Sequence, residues 1–143
     1  MIWRWAVVLL LPALSSCAIA IDTSAAASIP AEIAVAQLRG LLPTVAYFSC
    51  LTPQVTVDQI DIEGWTVDEK GLEIRTKERE PFKISWSESR GAEAVKIPLL
   101  RYEVRLFVAD GDKPRKEHFH FNWKDEEPAR KAAELLEALR GDK

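Results

Sequence analysis

Residues 101–123 read RYEVRLFVADGDKPRKEHFHFNW, and both halves of that stretch alternate with a period of two. Tyr102, Val104, Leu106 and Val108 fall on one face of the first half, and Phe119, Phe121 and Trp123 on one face of the second. Asp110-Gly111-Asp112-Lys113-Pro114 between them supplies the reversal, so the stretch predicts a long antiparallel hairpin with one apolar side. Working backwards, Phe82, Ile84 and Trp86 form another inward row, with Lys83 and Ser85 facing out. Leu72, Ile74 and Thr76 form one more after the turn at Glu69-Lys70-Gly71. Val55 and Val57 change phase before Ile60 and Ile62, which predicts a bulge or two short strands. Five or more strands, each with a single apolar face, must share one core.

The hairpin leads into a helix. Asp125 is placed to cap it, Glu126 and Glu127 suit its positive end, and Arg140 with Gly141 closes it. Ala129, Ala132, Leu136 and Leu139 make its apolar stripe, with Leu135 at the edge. A second helix is expected from Ile29 to Leu42, with Ser28 as cap, Pro30 in the first turn and Pro43 as its end. The expected class is therefore α+β, an antiparallel sheet or small barrel with an N-terminal helix and a C-terminal amphipathic helix.

The first 16 residues have a different character. Met1 to Arg4 is weakly positive, Trp5 to Leu14 is apolar apart from Pro12, and the run is too short to span a bilayer. It ends in Leu14-Ser15-Ser16-Cys17, which resembles the lipobox of bacterial lipoproteins. That resemblance implies cleavage before Cys17, a diacylglyceryl group on its thiol and a fatty acyl chain such as palmitate on the new amine. It also implies attachment to a cell membrane. Ala18, rather than Asp, after the cysteine is similar to lipoproteins sent to the outer membrane and facing the periplasm where the source is Gram-negative. Ala18-Ile19-Ala20 fits ordinary secretory cleavage as well, giving an unlipidated chain from Ile21. The expected organisation is a signal peptide over 1–16, a lipidated N-terminus and tether over 17–28, and one globular domain over 29–143.

Without its signal peptide the chain keeps 127 residues, with 18 basic and 22 acidic side chains and a formal charge of −4. One domain fits that length, and the mild acidity argues against nucleic acid as a partner. Once Cys17 is modified, Cys50 has no intramolecular partner, and its apolar neighbours predict a buried thiol.

From Gly71 to Leu139 the chain resembles a bacterial pleckstrin-homology-like domain. The residues that carry this are Gly71-Leu72-Glu73-Ile74 in an early strand, Phe82-Lys83-Ile84-Ser85-Trp86-Ser87-Glu88 entering a turn, and the last hairpin running into the closing helix. The resemblance implies two roughly orthogonal sheets with the helix plugging one end.

No catalytic constellation is legible. His118 and His120 share one strand face about 7 Å apart along the backbone, but two ligands do not complete a metal site, and that face is expected to be solvated. Ser85, Ser87 and Ser89 near Glu88 lack a nucleophile elbow and read as a turn. Arg75, Lys77, Arg79 and Lys83 are interleaved with Glu73, Glu78 and Glu80, which neutralises any phosphate site; Lys113, Arg115 and Lys116 are offset in the same way by Asp110, Asp112 and Glu117. Trp65 beside Gly64, and Leu99 and Leu100 after Pro98, remain as candidate contact residues. Loop leucines either bind a partner or fold back onto the core, and folding back is the expectation. The functional expectation is a membrane-anchored, non-catalytic binding or scaffolding module with no cofactor and with an envelope protein as partner. The alternatives are an envelope hydrolase or metal-dependent enzyme using His118 and His120, or a purely structural envelope protein.

Overall fold

A computed structural model describes residues 18–23, 28–51, 54–110 and 113–142. The signal peptide and Cys17 lie outside the described residues. The alternating segments form two antiparallel sheets. The larger contains β1 (Ile19–Ile21), β2 (Tyr47–Leu51), β3 (Gln54–Asp58), β7 (Ser89–Ile97), β8 (Arg101–Asp110) and β9 (Lys113–Trp123), in the order β1-β7-β8-β9-β2-β3. The smaller contains β4 (Ile62–Val67), β5 (Gly71–Thr76) and β6 (Phe82–Ser85), in chain order. Short 3-10 turns, Gln59–Asp61 and Trp86–Glu88, carry the chain between sheets. The phase change after Val57 is thus two short strands that belong to different sheets.

Phe48 on β2 is the centre of the core. It lies 5.1 Å from Phe82, 5.3 Å from Phe121, 5.8 Å from Phe119 and 6.5 Å from Trp65, ring centre to ring centre. Val104, Leu106, Leu72, Ile74 and Ile84 fill the rest of the space between the sheets, as their alternation requires. Trp65, a candidate contact residue from its sequence setting, is half-buried and packs against this core. Cys50 is buried in it, 2% exposed.

The two helices close another side. α1 (Ala31–Leu41) buries Ala34, Val35 and Leu38, and the Arg39 guanidinium donates to the Val67 carbonyl at 2.7 Å. α2 (Glu126–Ala138) lies on β7 and β8 and against α1 with Ala129, Ala132, Ala133, Leu135 and Leu136 buried. Each of those leucines contributes about 1.5–3 kcal/mol by leaving water. Gly141 just beyond α2 donates its N–H to the Ser89 carbonyl at 2.8 Å, and a Cβ there would collide with the Trp86 carbonyl. Gly91 holds a positive φ of 98° inside the irregular start of the β7–β8 pairing.

Several expectations change. α1 begins at Ala31, because Pro30 in an extended conformation occupies the cap position in place of Ser28. Pro43 does not stop the helical turn; it sits in a 3-10 turn over Leu42–Thr44, where its missing N–H costs nothing. Asp125 holds the cap position of α2 without a side-chain hydrogen bond. The tether expected over 17–28 contributes an edge strand, since Ile19–Ile21 pairs with Lys96–Ala94 of β7. Two packed helices, not one plugging helix, cover the sheets, and no strand ladder joins the two sheets among the described residues.

Candidate functional site

Two places on the larger sheet carry chemistry that the core does not explain. The first is its outer face. Alternation along β9 points Phe119, Phe121 and Trp123 inward and His120 and Asn122 outward, as expected; the side chain of His118 is outside the described set. This outer face is not solvated there. Asn122 is 1% exposed and the His120 side chain 12%. Across the ladder Arg105 opposes His120 and Glu103 opposes Asn122, so long side chains on central strands cover one another.

Their contacts form a chain. Glu103 takes the His120 Nδ1 at 3.1 Å on one oxygen and the Arg105 Nε at 3.0 Å on the other; Arg105 also reaches Glu93 at 3.7 Å. Beside them the Arg101 Nε donates to Asn122 Oδ1 at 2.9 Å, and its guanidinium lies 5.7 Å from the centre of the Tyr47 ring. Burial works to raise the Glu103 carboxyl, but the hydrogen bonds and charges of His120 and Arg105 outweigh it and hold the group at about 2. Burial also raises the Tyr47 phenol; Arg101 opposes this and Glu103 adds to it. A carboxylate with both oxygens committed holds no proton to exchange near neutral pH, where a general acid or base has to work. Among the described residues no three His, Cys, Asp or Glu side chains gather as metal ligands.

The second place is the β7–β8 tip. Ile97 pairs with Arg101 as the last rung, and the Leu100 N–H donates to the Ile97 carbonyl at 3.1 Å, closing a tight turn over Pro98 and Leu99. Leu99 takes a positive φ of 64°, a conformation that suits glycine or asparagine and costs other residues about 1–2 kcal/mol. Both leucines point away from the protein, Leu99 fully exposed and Leu100 70% exposed. The expectation that they fold back is therefore overturned. The turn is too short to bring side chains beyond the last rung back over the sheet.

The tip has company. The starts of β1, β2 and β8 and the ends of β3, β7 and β9 all lie at one end of the larger sheet, as the antiparallel registers dictate. Among the described residues the exposed large hydrophobic side chains are Ile19, Ile33, Ile60, Leu99 and Leu100. Ile19 begins β1 and Ile60 follows β3, so all but Ile33 on α1 belong to this end. Lys96 opposite Ile19, Arg101 after the tip and Lys124 after Trp123 add positive charge around the leucines. Sequence reasoning missed Ile19 and Ile60; only the strand order puts them at the tip's end of the sheet, Ile19 on the strand next to β7 and Ile60 beyond the far edge strand.

The other candidate residues stay apart. Ser87 and Glu88 form the 3-10 turn before β7, and Ser89 is buried at its start. Arg75 is paired with Glu73 at 3.5 Å. A shallow groove beside α1, lined by Glu32, Val35, Arg39, Glu69 and Leu139, gathers one cation and two acids without a convergent polar set. Comparison with known proteins finds no family model, no curated protein and no solved structure that matches the chain.

Proposed function

We propose that this protein is a cell-envelope lipoprotein, anchored through Cys17, whose domain is a non-catalytic binding or scaffolding module akin to bacterial pleckstrin-homology-like domains. The observation that carries the reading is the Leu99–Leu100 tip. Two leucines held in water, one of them in a backbone conformation leucine disfavours, lower stability unless they meet something. The commitment of both Glu103 oxygens to Arg105 and His120 supports a structural role for the most polar cluster. The antiparallel strands that feed α2 support kinship with the pleckstrin-homology-like pattern. Anchoring gives the contact surfaces, tip and free strand edges alike, a high local concentration at the membrane.

The test is photo-cross-linking in intact cells from two positions, Leu99 at the tip and Thr56 on the edge strand β3. An envelope neighbour captured from either position in the wild type, and lost in Cys17→Ser, supports an anchored module. The reading fails if Cys17→Ser leaves membrane retention and the captured neighbours unchanged.

A further inference from the structure

The Leu99–Leu100 tip and the start of β1 at Ile19 lie at the same end of the larger sheet. β1 runs antiparallel to β7 with Ile19 opposite Lys96, so stepping back from Ile19 toward Cys17 follows β7 forward from Lys96 toward Pro98. Cys17 is two residues before Ile19, about 7 Å of extended chain. Only Ala18 separates the cysteine from a strand fixed in the sheet. We propose that the Leu99–Leu100 tip inserts into the lipid bilayer that receives the acyl chains of Cys17, so that the domain stands on the membrane on one end of its larger sheet. This rests on the lipid-anchor reading above.

Two observations, taken with the anchor reading, select lipid over a protein partner. Acyl chains on Cys17 would hold that residue at the membrane interface, two residues from the Ile19 start of β1, and so would turn this end of the sheet toward the headgroups. The leucines extend beyond the last rung of β7 and β8, the direction in which the chain leads to Cys17. Apolar side chains lying about 5–10 Å into the headgroup and acyl boundary are the recognised form of interfacial binding. Lys96 shortly before the tip, Arg101 directly after it and Lys124 after Trp123 put a collar of cations at this end of the sheet, suited to lipid phosphates. Asp125 stands next to that collar, at the start of α2, and Asp58 and Asp61 flank Ile60 on the far side of the sheet. The contact is therefore centred on the tip and does not extend evenly along the whole rim.

The experiment uses the full-length, lipidated protein purified from its host membrane in a Cys50→Ala background and placed in protein-free vesicles of phosphatidylethanolamine and phosphatidylglycerol. Mass analysis of the mature N-terminal peptide first establishes acylation of Cys17. An environment-sensitive fluorophore is attached at Leu99→Cys, at Leu100→Cys as a second tip site, or at Glu88→Cys, which precedes β7 at its opposite end. Lipids brominated near the headgroup end of the acyl chain should quench both tip probes at least about threefold more than the Glu88 probe, as expected for shallow insertion. Circular dichroism of each labelled protein confirms the fold. Equal quenching at both ends with Cys17 acylated overturns the insertion and leaves the anchor standing. A mature chain starting at Ile21 without lipid overturns the anchor and this proposal with it. Capture of a protein by the Leu99 cross-linker in cells, with unquenched tip probes in vesicles, assigns the tip to that protein instead.

Discussion

Replacing Glu103 with glutamine removes a charge and almost no volume, and so isolates what the carboxylate does for Arg105 and His120. A carboxyl held at about 2 instead of its ordinary 4.5 contributes about 3 kcal/mol to folding, since the charged form is favoured only in the native state. The folded-state value is the lower one, so this contribution is complete above about pH 5.5 and disappears as pH falls through 4.5 toward 2. About 2 kcal/mol of it should be gone by pH 3. Glu103→Gln should therefore be about 2–3 kcal/mol less stable than wild type at pH 7. Arg105 then loses its charged partner at 3.0 Å, while the half-exposed Glu93 at 3.7 Å is a weaker one. Urea unfolding of the chain from Ala18 onward, followed by tryptophan fluorescence from pH 7 to pH 3, measures the gap directly. It should narrow steadily below pH 5, because the variant has no charge left to lose at that position. A gap of the same size at pH 3 as at pH 7 would refute the argument that the cluster holds Glu103 ionised.

Phe121→Ala should cost about 3–5 kcal/mol, because the ring is fully buried among Phe48, Trp65 and Val104, while Lys83→Ala on the exposed side of β6 should stay within about 0.5 kcal/mol; equal urea midpoints would show that the strand phase is wrong. Asn122→Ala should cost about 1–2 kcal/mol by leaving Arg101 without its acceptor, measured by the same melts, and no loss would mean that bond contributes nothing. Leu99→Asn should raise stability by about 0.5–1 kcal/mol through relief of the positive φ, with a higher thermal midpoint as the readout and an unchanged midpoint counting against a strained turn.

What was legible in the sequence was whatever repeats locally. Alternation fixed which side chains of β5, β6, β8 and β9 face the core, and the alanine and leucine stripe identified α2, because both depend on residues a few positions apart. Alternation cannot say whether the other face is wet. Glu103, Arg105 and His120 carry charge or polarity at every step, so they read as solvent-facing; only their placement on adjacent central strands lets their stems cover one another. Trp65 looked like a surface residue beside a glycine because the rings it meets, Phe48 and Phe121, come from strands far away in sequence. Cys17 could be read only as an address and lies outside the described residues.

The nearness of the tip to the start of β1 belongs to the same class of hidden feature, and it bears on why a leucine occupies position 99. In a hairpin that serves only to reverse the chain, a residue with positive φ is easily glycine or asparagine, and an outward leucine there lowers stability while hiding no apolar surface. The β1–β7 ladder links residues more than seventy positions apart and brings that leucine to the same sheet end as Ile19, the start of β1. Acylation on Cys17 and insertion of the tip would then act on the domain through two points at one end of the larger sheet. Such a pair fixes orientation as well as distance, because an anchor alone lets a domain tumble about its tether and an anchor with an inserted wedge does not. The edge strand β3 and the turn before β7 would be held facing away from or along the bilayer, at constant height, for whatever the module engages. Relieving the strain with asparagine should therefore separate the two properties, giving a more stable domain that is held less firmly in orientation at the membrane.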